Sequence, residues 1–205
     1  MKKRLLLFSV LLSLLLLTGC TKHLTDEPLM LSFPAETAAF TGTLTKGTYT
    51  GAVQGDGWRF EGTLTAERLL DGEGENVPCR AALFGCVEEG TYTGSLISGL
   101  PDGEGEFSLS SSAVFTGEFS GGTAVRGKAS ELPWEIRHGG SRFSGTYTGA
   151  LESSGPEGEG LFGGVNAAGQ QFTWYGGWSG GEISGDGVLT DEHCIVSVEG
   201  RETAG

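Results

Sequence analysis

The chain reads as an all-β protein, an elongated single-layer antiparallel sheet built from consecutive β-hairpins. Three observations carry that reading. A spaced pattern of aromatic, glycine and apolar residues returns along most of the 205 residues. Glycine is abundant, with 37 residues or about 18%, against roughly 7% on average, and neither a collagen triplet nor a proline bias accompanies it. Finally, no long helix is legible after the first twenty residues.

The pattern is plainest in Gly90–Phe107, GTYTGSLISGLPDGEGEF. With Tyr92 as position one, glycines stand at positions three, eight, twelve and fourteen, and apolar residues at five (Leu96) and sixteen (Phe107). Alternate residues share one strand face, so the aromatic and apolar side chains fall together. Glycines mark turns and places where two backbones come close. A second copy starts at Trp174, with Gly176, Trp178, Gly181, Gly185-Asp186-Gly187 and Leu189. A third starts at Tyr147, with Gly149, Leu151, Gly158-Glu159-Gly160 and Phe162. Weaker copies begin at Phe115, Phe60 and Phe40, and successive starts lie 20, 32, 23, 32 and 27 residues apart. Gly-Thr-Tyr-Thr-Gly recurs verbatim at 47–51, 90–94 and 145–149. Repeats of this length predict a solenoid or array whose units bury a face only by stacking on neighbours.

These residues resemble the MORN repeat, roughly YxGxWxxGxxxGxGxxxxxxG, most specifically in GTYTGSLISGLPDGEGEF, GTYTGALESSGPEGEGLF and WYGGWSGGEISGDGVL. The resemblance covers most of 40–190, and its spacing is uneven around the cysteine-bearing insert at 75–89. It implies a single-layer sheet of successive hairpins, and binding or scaffolding rather than chemistry.

In chain order, Met1–Gly19 reads as an export signal. Lys2, Lys3 and Arg4 precede the apolar run Leu5–Leu17, which is short for a spanning helix. Leu17-Thr18-Gly19-Cys20 resembles the bacterial lipobox, which implies a lipidated Cys20 and an extracytoplasmic domain anchored to the cell membrane by its N-terminal lipid. An ordinary signal peptide or an anchor helix is the other reading of the same run. Residues 20–39 lack a sustained period and are expected to be a flexible tether. Residues 40–205 form the repeat domain. Within it Trp134 and Ile136 share one face of an inserted strand turned at Gly139-Gly140, and a closing strand is expected over about 188–199.

The chain carries 13 basic and 26 acidic residues. Residues 1–19 hold three of the basic and none of the acidic ones, so the exported part has 10 against 26, a charge of −16. Such a balance excludes nucleic acid as a partner and speaks against direct capture of anionic lipid heads. The acids between paired glycines, Asp56, Glu73, Glu104, Glu159 and Asp186, are expected to form a row along one edge. That row reads as a solvated rim, with weak Ca²⁺ binding or docking of a basic partner as the sharper alternative. Cys79 and Cys86 are expected to close a small disulfide loop in an exported protein, with free buried thiols as the alternative. Cys194 reads as core packing.

No nucleophile elbow, HExxH, P-loop or zinc-type cysteine spacing is present, and no helix follows Gly103-Glu104-Gly105 to make it a phosphate loop. The reading is therefore non-catalytic, without a cofactor or a resident metal. The aromatic residues Trp58, Phe60, Tyr92, Phe115, Phe119, Tyr147, Trp174, Tyr175 and Trp178 are the candidate binding surface, with Trp58, Trp174, Tyr175 and Trp178 expected as exposed contacts. The expected function is an envelope-anchored scaffold for protein binding or assembly. A cell-wall glycan or teichoic-acid binder, or a structural spacer that self-associates through sheet edges, stand as alternatives.

Overall fold

The computed structural model describes residues 21–110, 112–191 and 195–198. Among these residues there is no helix, and one antiparallel sheet holds every strand. In order the strands are β1 (Thr21–Met30), β2 (Thr37–Thr45), β3 (Thr48–Gln54), β4 (Arg59–Leu64), β5 (Leu70–Leu83), β6 (Cys86–Ile97) and β7 (Leu100–Ser108). The meander continues with β8 (Val114–Ser120), β9 (Thr123–His138), β10 (Ser141–Glu152), β11 (Gly155–Asn166), β12 (Gln171–Ser179), β13 (Glu182–Asp191) and β14 (Ile195–Val198). Each strand pairs with the next, and one parallel bridge, Ala82 to Thr123, draws β5 towards β9. Several tips are two-residue turns with positive φ at both positions, such as Ser98-Gly99 (53° and 78°) and Gly180-Gly181 (61° and 88°). Turns of that hand match the twist of the strands they join, and so hairpin follows hairpin.

The register reveals a unit of four strands, not two. Gly42, Gly51, Gly62 and Gly72 stand side by side across β2–β5. Gly94, Gly105, Gly117 and Gly127 do so across β6–β9, and Gly149, Gly160, Gly176 and Gly187 across β10–β13. The irregular spacing of the copies follows from this arrangement. The first strands of the three blocks carry Phe40, Tyr92 and Tyr147, and the third strands carry Phe60, Phe115 and Trp174. The gaps between copies therefore alternate short and long.

Beside each glycine row runs an apolar row on the inner face. In the second block it is Tyr92, Phe107, Phe115 and Ala129, and in the third Tyr147, Phe162, Trp174 and Leu189. The aromatic rings lie back over the glycines. A Cβ on Gly105 would stand 2.2 Å from the Tyr92 hydroxyl oxygen, and one on Gly187 would stand 2.3 Å from the Trp174 ring. Here glycine is required by the ring above it, not by its own backbone angles. In the second and third blocks the first glycine of the Gly-acid-Gly triplet has the other role. Gly103, Gly158 and Gly185 have φ of 75°, 74° and 71° with open space where a Cβ would stand. Each sits where the ladder slips by a bulge, and glycine adopts that left-handed turn without strain.

Three further bulges open the blocks. Asp26, Asn76 and Glu131 have φ of 51°, 53° and 48°, and their N–H groups donate to the hydroxyls of Thr41, Thr93 and Thr148 at 3.1, 3.0 and 3.0 Å. The threonine after the first aromatic of each block thus caps a bulge in the strand before it.

The segment expected as a tether is instead part of the sheet from Thr21 onward. β1 pairs with β2 along its length, and Leu24, Leu29 and Leu31 enter the core. Leu24 and Leu29 are five residues apart, an odd spacing that shares a face only because the Asp26 bulge shifts the alternation. The closing strand expected over 188–199 is likewise a hairpin, because β13 runs on to Asp191 and β14 returns against it. Cys194 lies outside the described residues, as do Met1–Cys20.

Candidate functional site

The aromatic residues singled out from the sequence share one face, but that face is the core. Phe60, Tyr92, Phe115, Phe119, Tyr147, Trp174 and Trp178 are all buried, as is Trp58. Phe119 meets Tyr92 edge-on at 5.2 Å, and Trp178 meets Tyr147 the same way at 5.1 Å. Each position-five ring thus packs on the position-one ring of the hairpin before, across an intervening strand. The curl of the sheet closes the groove that a flat layer would have left open. The Trp174 indole N–H donates to the Gly177 carbonyl at 3.2 Å, and that of Trp58 donates to Glu36 at 2.6 Å. The expectation of exposed contacts at Trp58, Trp174 and Trp178 is therefore overturned.

Tyr175 is the exception, with 56% of its surface exposed. It points outward from β12 between two further exposed apolar residues, Leu161 on β11 and Val188 on β13, which are its direct cross-strand partners. The repeat supplies its own control for this row. The equivalent outer positions are Thr41, Ala52, Glu61 and Glu73 in the first block and Thr93, Glu106, Thr116 and Lys128 in the second. In the third they are Thr148, Leu161, Tyr175 and Val188. Thr148 is held by its bulge, whereas Leu161, Tyr175 and Val188 cap nothing and pack on no core. At about 4.8 Å per strand the apolar row is about 10 Å long. Val165, also exposed, extends it along β11.

Leu161 and Val188 escape a reading of the sequence, although a signal is there. Leu161-Phe162 and Val188-Leu189 are adjacent apolar pairs in alternating strands, and only one member of each can face inward.

The acidic residues do not make one row. Glu73 lies in the outer row of the first block, Glu104, Glu159 and Asp186 lie at the glycine bulges, and Asp56 sits in the turn between β3 and β4. No group of three or more potential metal ligands occurs among the described residues. The irregular spacing produced by four-strand blocks scatters them.

Cys79 and Cys86 do not form a bridge; both are free thiols, the first buried and the second exposed. On the β5–β6 hairpin Cys86 faces Leu83 and Cys79 faces Gly90, which puts the two about 13 Å apart along the ladder, beyond the reach of a disulfide. Burial pushes the Cys79 thiol up to about 12. Tyr92 and Tyr147 are also pushed up to about 12, in each case first by burial. Nearby Cys79, Glu73, Asp102 and Glu104 add to the effect at Tyr92, as Glu157 does at Tyr147. Such groups stay neutral and are unsuited to acid–base work near neutral pH.

One cleft of about 490 Å³ opens beside the tips of the long hairpins, walled by Phe84, Leu109, Leu132 and Trp134 with Glu88 and Cys86 on β6. Glu135 and Ser144 line it as well, with the Ser144 hydroxyl donating to the Glu135 carboxylate at 3.0 Å and Glu135 paired with Arg142.

The sequence matches no known family model, and no curated protein matches it.

Proposed function

We propose that the chain is a lipid-anchored, extracytoplasmic MORN-like repeat protein that binds another protein at the bacterial envelope and is not an enzyme. The observation that supports binding is the row Leu161–Tyr175–Val188, three adjacent exposed apolar residues at positions where the other blocks carry Ala, Thr, Glu or Lys. Exposed apolar residues grouped on one face mark contact surfaces more often than residues scattered singly. Tyr is also a favoured anchor of protein interfaces. The sheet is the scaffold, and its chemistry lies in what it displays.

The test replaces Tyr175 by a photoreactive phenylalanine analogue in the full chain, in its native envelope. The same replacement at Thr116, its equivalent in the second block, is the control. A protein adduct formed from position 175 and not from 116 is expected; equal adducts, or none, would overturn the reading. Lipidation is tested separately, by metabolic labelling with a tagged fatty acid, and the label should vanish in Cys20→Ser.

A cell-wall glycan is the second reading. Tyr175 lies beside Thr173 and Thr190 on the same face, and a ring next to hydroxyls suits a sugar. An adduct carrying glycan alone would favour it.

A further inference from the structure

Apart from the row on β11–β13, we infer that the cleft beside Phe84 and Trp134 is a binding site for a tryptophan side chain carried on an extended peptide of another protein. The three blocks differ at this point. In the first, the residue four before Phe40 is Glu36 and the residue two before Phe60 is Trp58, and the Trp58 indole N–H donates to the Glu36 carboxylate at 2.6 Å. In the third, the same two positions are Phe143 and Phe172, both buried, with ring centroids 4.9 Å apart. In the second they are Glu88 and Ala113. The second block thus keeps the acceptor of the first and lacks its donor. Glu88 lines the cleft, and among the described residues it has no hydrogen bond or ion pair. Leu109, where the other blocks have Gly55 and Gly164, takes some of the room and forms one wall. About 490 Å³ stays open, within the range of about 300–1,000 Å³ common to ligand pockets.

The backbone around the cleft suits a strand. β7 and β8 stop at Ser108 and Val114, whereas β6 extends past the Thr91–Ser108 pair to Cys86, and β9 past the Val114–Ser130 pair to His138. Ala82, opposite Val87, sends its N–H to the Gly122 carbonyl at 2.8 Å, away from β6. Facing residues of an antiparallel ladder exchange both bonds or neither, in alternation. Val87 and Glu89 therefore turn their N–H and C=O groups to the open side. Among the described residues no backbone hydrogen bond outside the ladders involves either. In the third block a strand takes this place, with Gly163–Asn166 of β11 along Phe143–Thr146 of β10. A peptide laid there continues the line of β7, its backbone bonding β6 while an inward side chain enters the cleft. An indole fits what it meets, a ring against apolar walls with one N–H for Glu88, as Trp58 gives to Glu36. The chain has four tryptophans; Trp58, Trp174 and Trp178 are buried and Trp134 already walls the cleft, so a second copy has none to offer.

The test uses the mature chain, which holds the whole sheet, and three labelled peptides that differ at one central position, read by fluorescence anisotropy. That position is tryptophan, 1-methyltryptophan (the ring without its N–H) or leucine. The tryptophan peptide should bind about tenfold more tightly than the methylated one, which loses a hydrogen bond to a charged group, and the leucine peptide more weakly still. Glu88→Leu should erase the difference between tryptophan and its methylated form, which mere damage to the fold would not do. Glu61→Leu, on the outer face of the first block, should leave that difference intact. Leu109→Gly combined with Ala113→Trp rebuilds the pair of the first block and should fill the cleft, so that no peptide binds while the fold still melts cooperatively. Capture at position 175 concerns another surface, and neither result decides the other. Equal binding of the three peptides, no binding of any, or a methyl effect that survives Glu88→Leu would overturn the inference. So would N-acetyltryptophanamide binding as tightly as the tryptophan peptide, because no strand would then be needed.

Discussion

The phenol ring of Tyr147 lies against the backbone of Gly160 on the neighbouring strand, so that a Cβ there would stand 2.4 Å from its hydroxyl oxygen and 2.5 Å from Cε2. Gly160 has no positive φ, and its glycine is needed for the ring alone. Gly160→Ala should therefore cost about 1–3 kcal/mol by overpacking, and Tyr147→Leu in the same chain should recover part of that cost. Gly158, two residues earlier, has φ of 74° and open space around it. Gly158→Ala should cost about 1–2 kcal/mol through the backbone, with no rescue by Tyr147→Leu. Urea unfolding of the six chains (wild type, three single and two double variants) checks both halves. Equal rescue at the two glycines would contradict the separation of roles.

Much of this architecture is legible in the sequence. Aromatic and glycine positions define the hairpins and the inward face, because the period of two and the turn glycines are local signals. What local signals cannot show is how the strands add up. The four-strand block depends on bulges at Asp26, Asn76 and Glu131, and three residues with so little in common announce no bulge. For the same reason Leu24 and Leu29 look aperiodic, and the strand they belong to reads as a tether. The aromatic surface misleads for a different reason. Trp58 and Trp178 are buried by contacts with Glu36 and Tyr147, and those depend on the curl of the whole sheet.

Tyr92 and Tyr147 are equivalent in position but not in hydrogen bonding. The Tyr147 hydroxyl donates to the Ala150 carbonyl at 2.9 Å, while the Tyr92 hydroxyl is buried without a protein partner. Removing a made bond costs, whereas removing an unmet polar atom does not. Tyr147→Phe should lower stability by about 1 kcal/mol, and Tyr92→Phe should leave it unchanged or raise it. Thermal melting of the two variants decides; a loss at Tyr92 equal to that at Tyr147 would contradict the assignment.

The two free thiols should differ sharply towards alkylating agents. Cys86 is exposed near a hairpin tip, whereas Cys79 is buried and pushed up to about 12 by that burial. Because the thiolate is the reactive form, Cys86 should label rapidly in the folded protein at neutral pH and Cys79 only after unfolding. Peptide mapping by mass spectrometry reads both sites. A peptide holding Cys79 bridged to Cys86 would overturn the register of the β5–β6 hairpin.

Alkaline stability follows from the same buried groups. Tyr92 and Tyr147 each rise from 10 to about 12 in the folded chain, because burial disfavours the phenolate. A folded value above the unfolded one means that the fold holds the proton more tightly. The stabilisation is therefore complete below pH 10 and is lost as pH rises through 12. Each tyrosine contributes about 2–3 kcal/mol to that loss, since each tenfold gain in proton affinity on folding is worth about 1.4 kcal/mol. Cys79, which rises from 9 to about 12, brings the onset forward to about pH 9 and adds a loss at least as large as that of either tyrosine. Urea midpoints measured from neutral pH upward should hold steady to about pH 9 and then fall steeply. Combining Tyr92→Phe with Tyr147→Phe removes both phenols and should flatten most of the fall between 10 and 12. An equally steep fall in that double variant would show that these rings are not where the alkaline sensitivity resides.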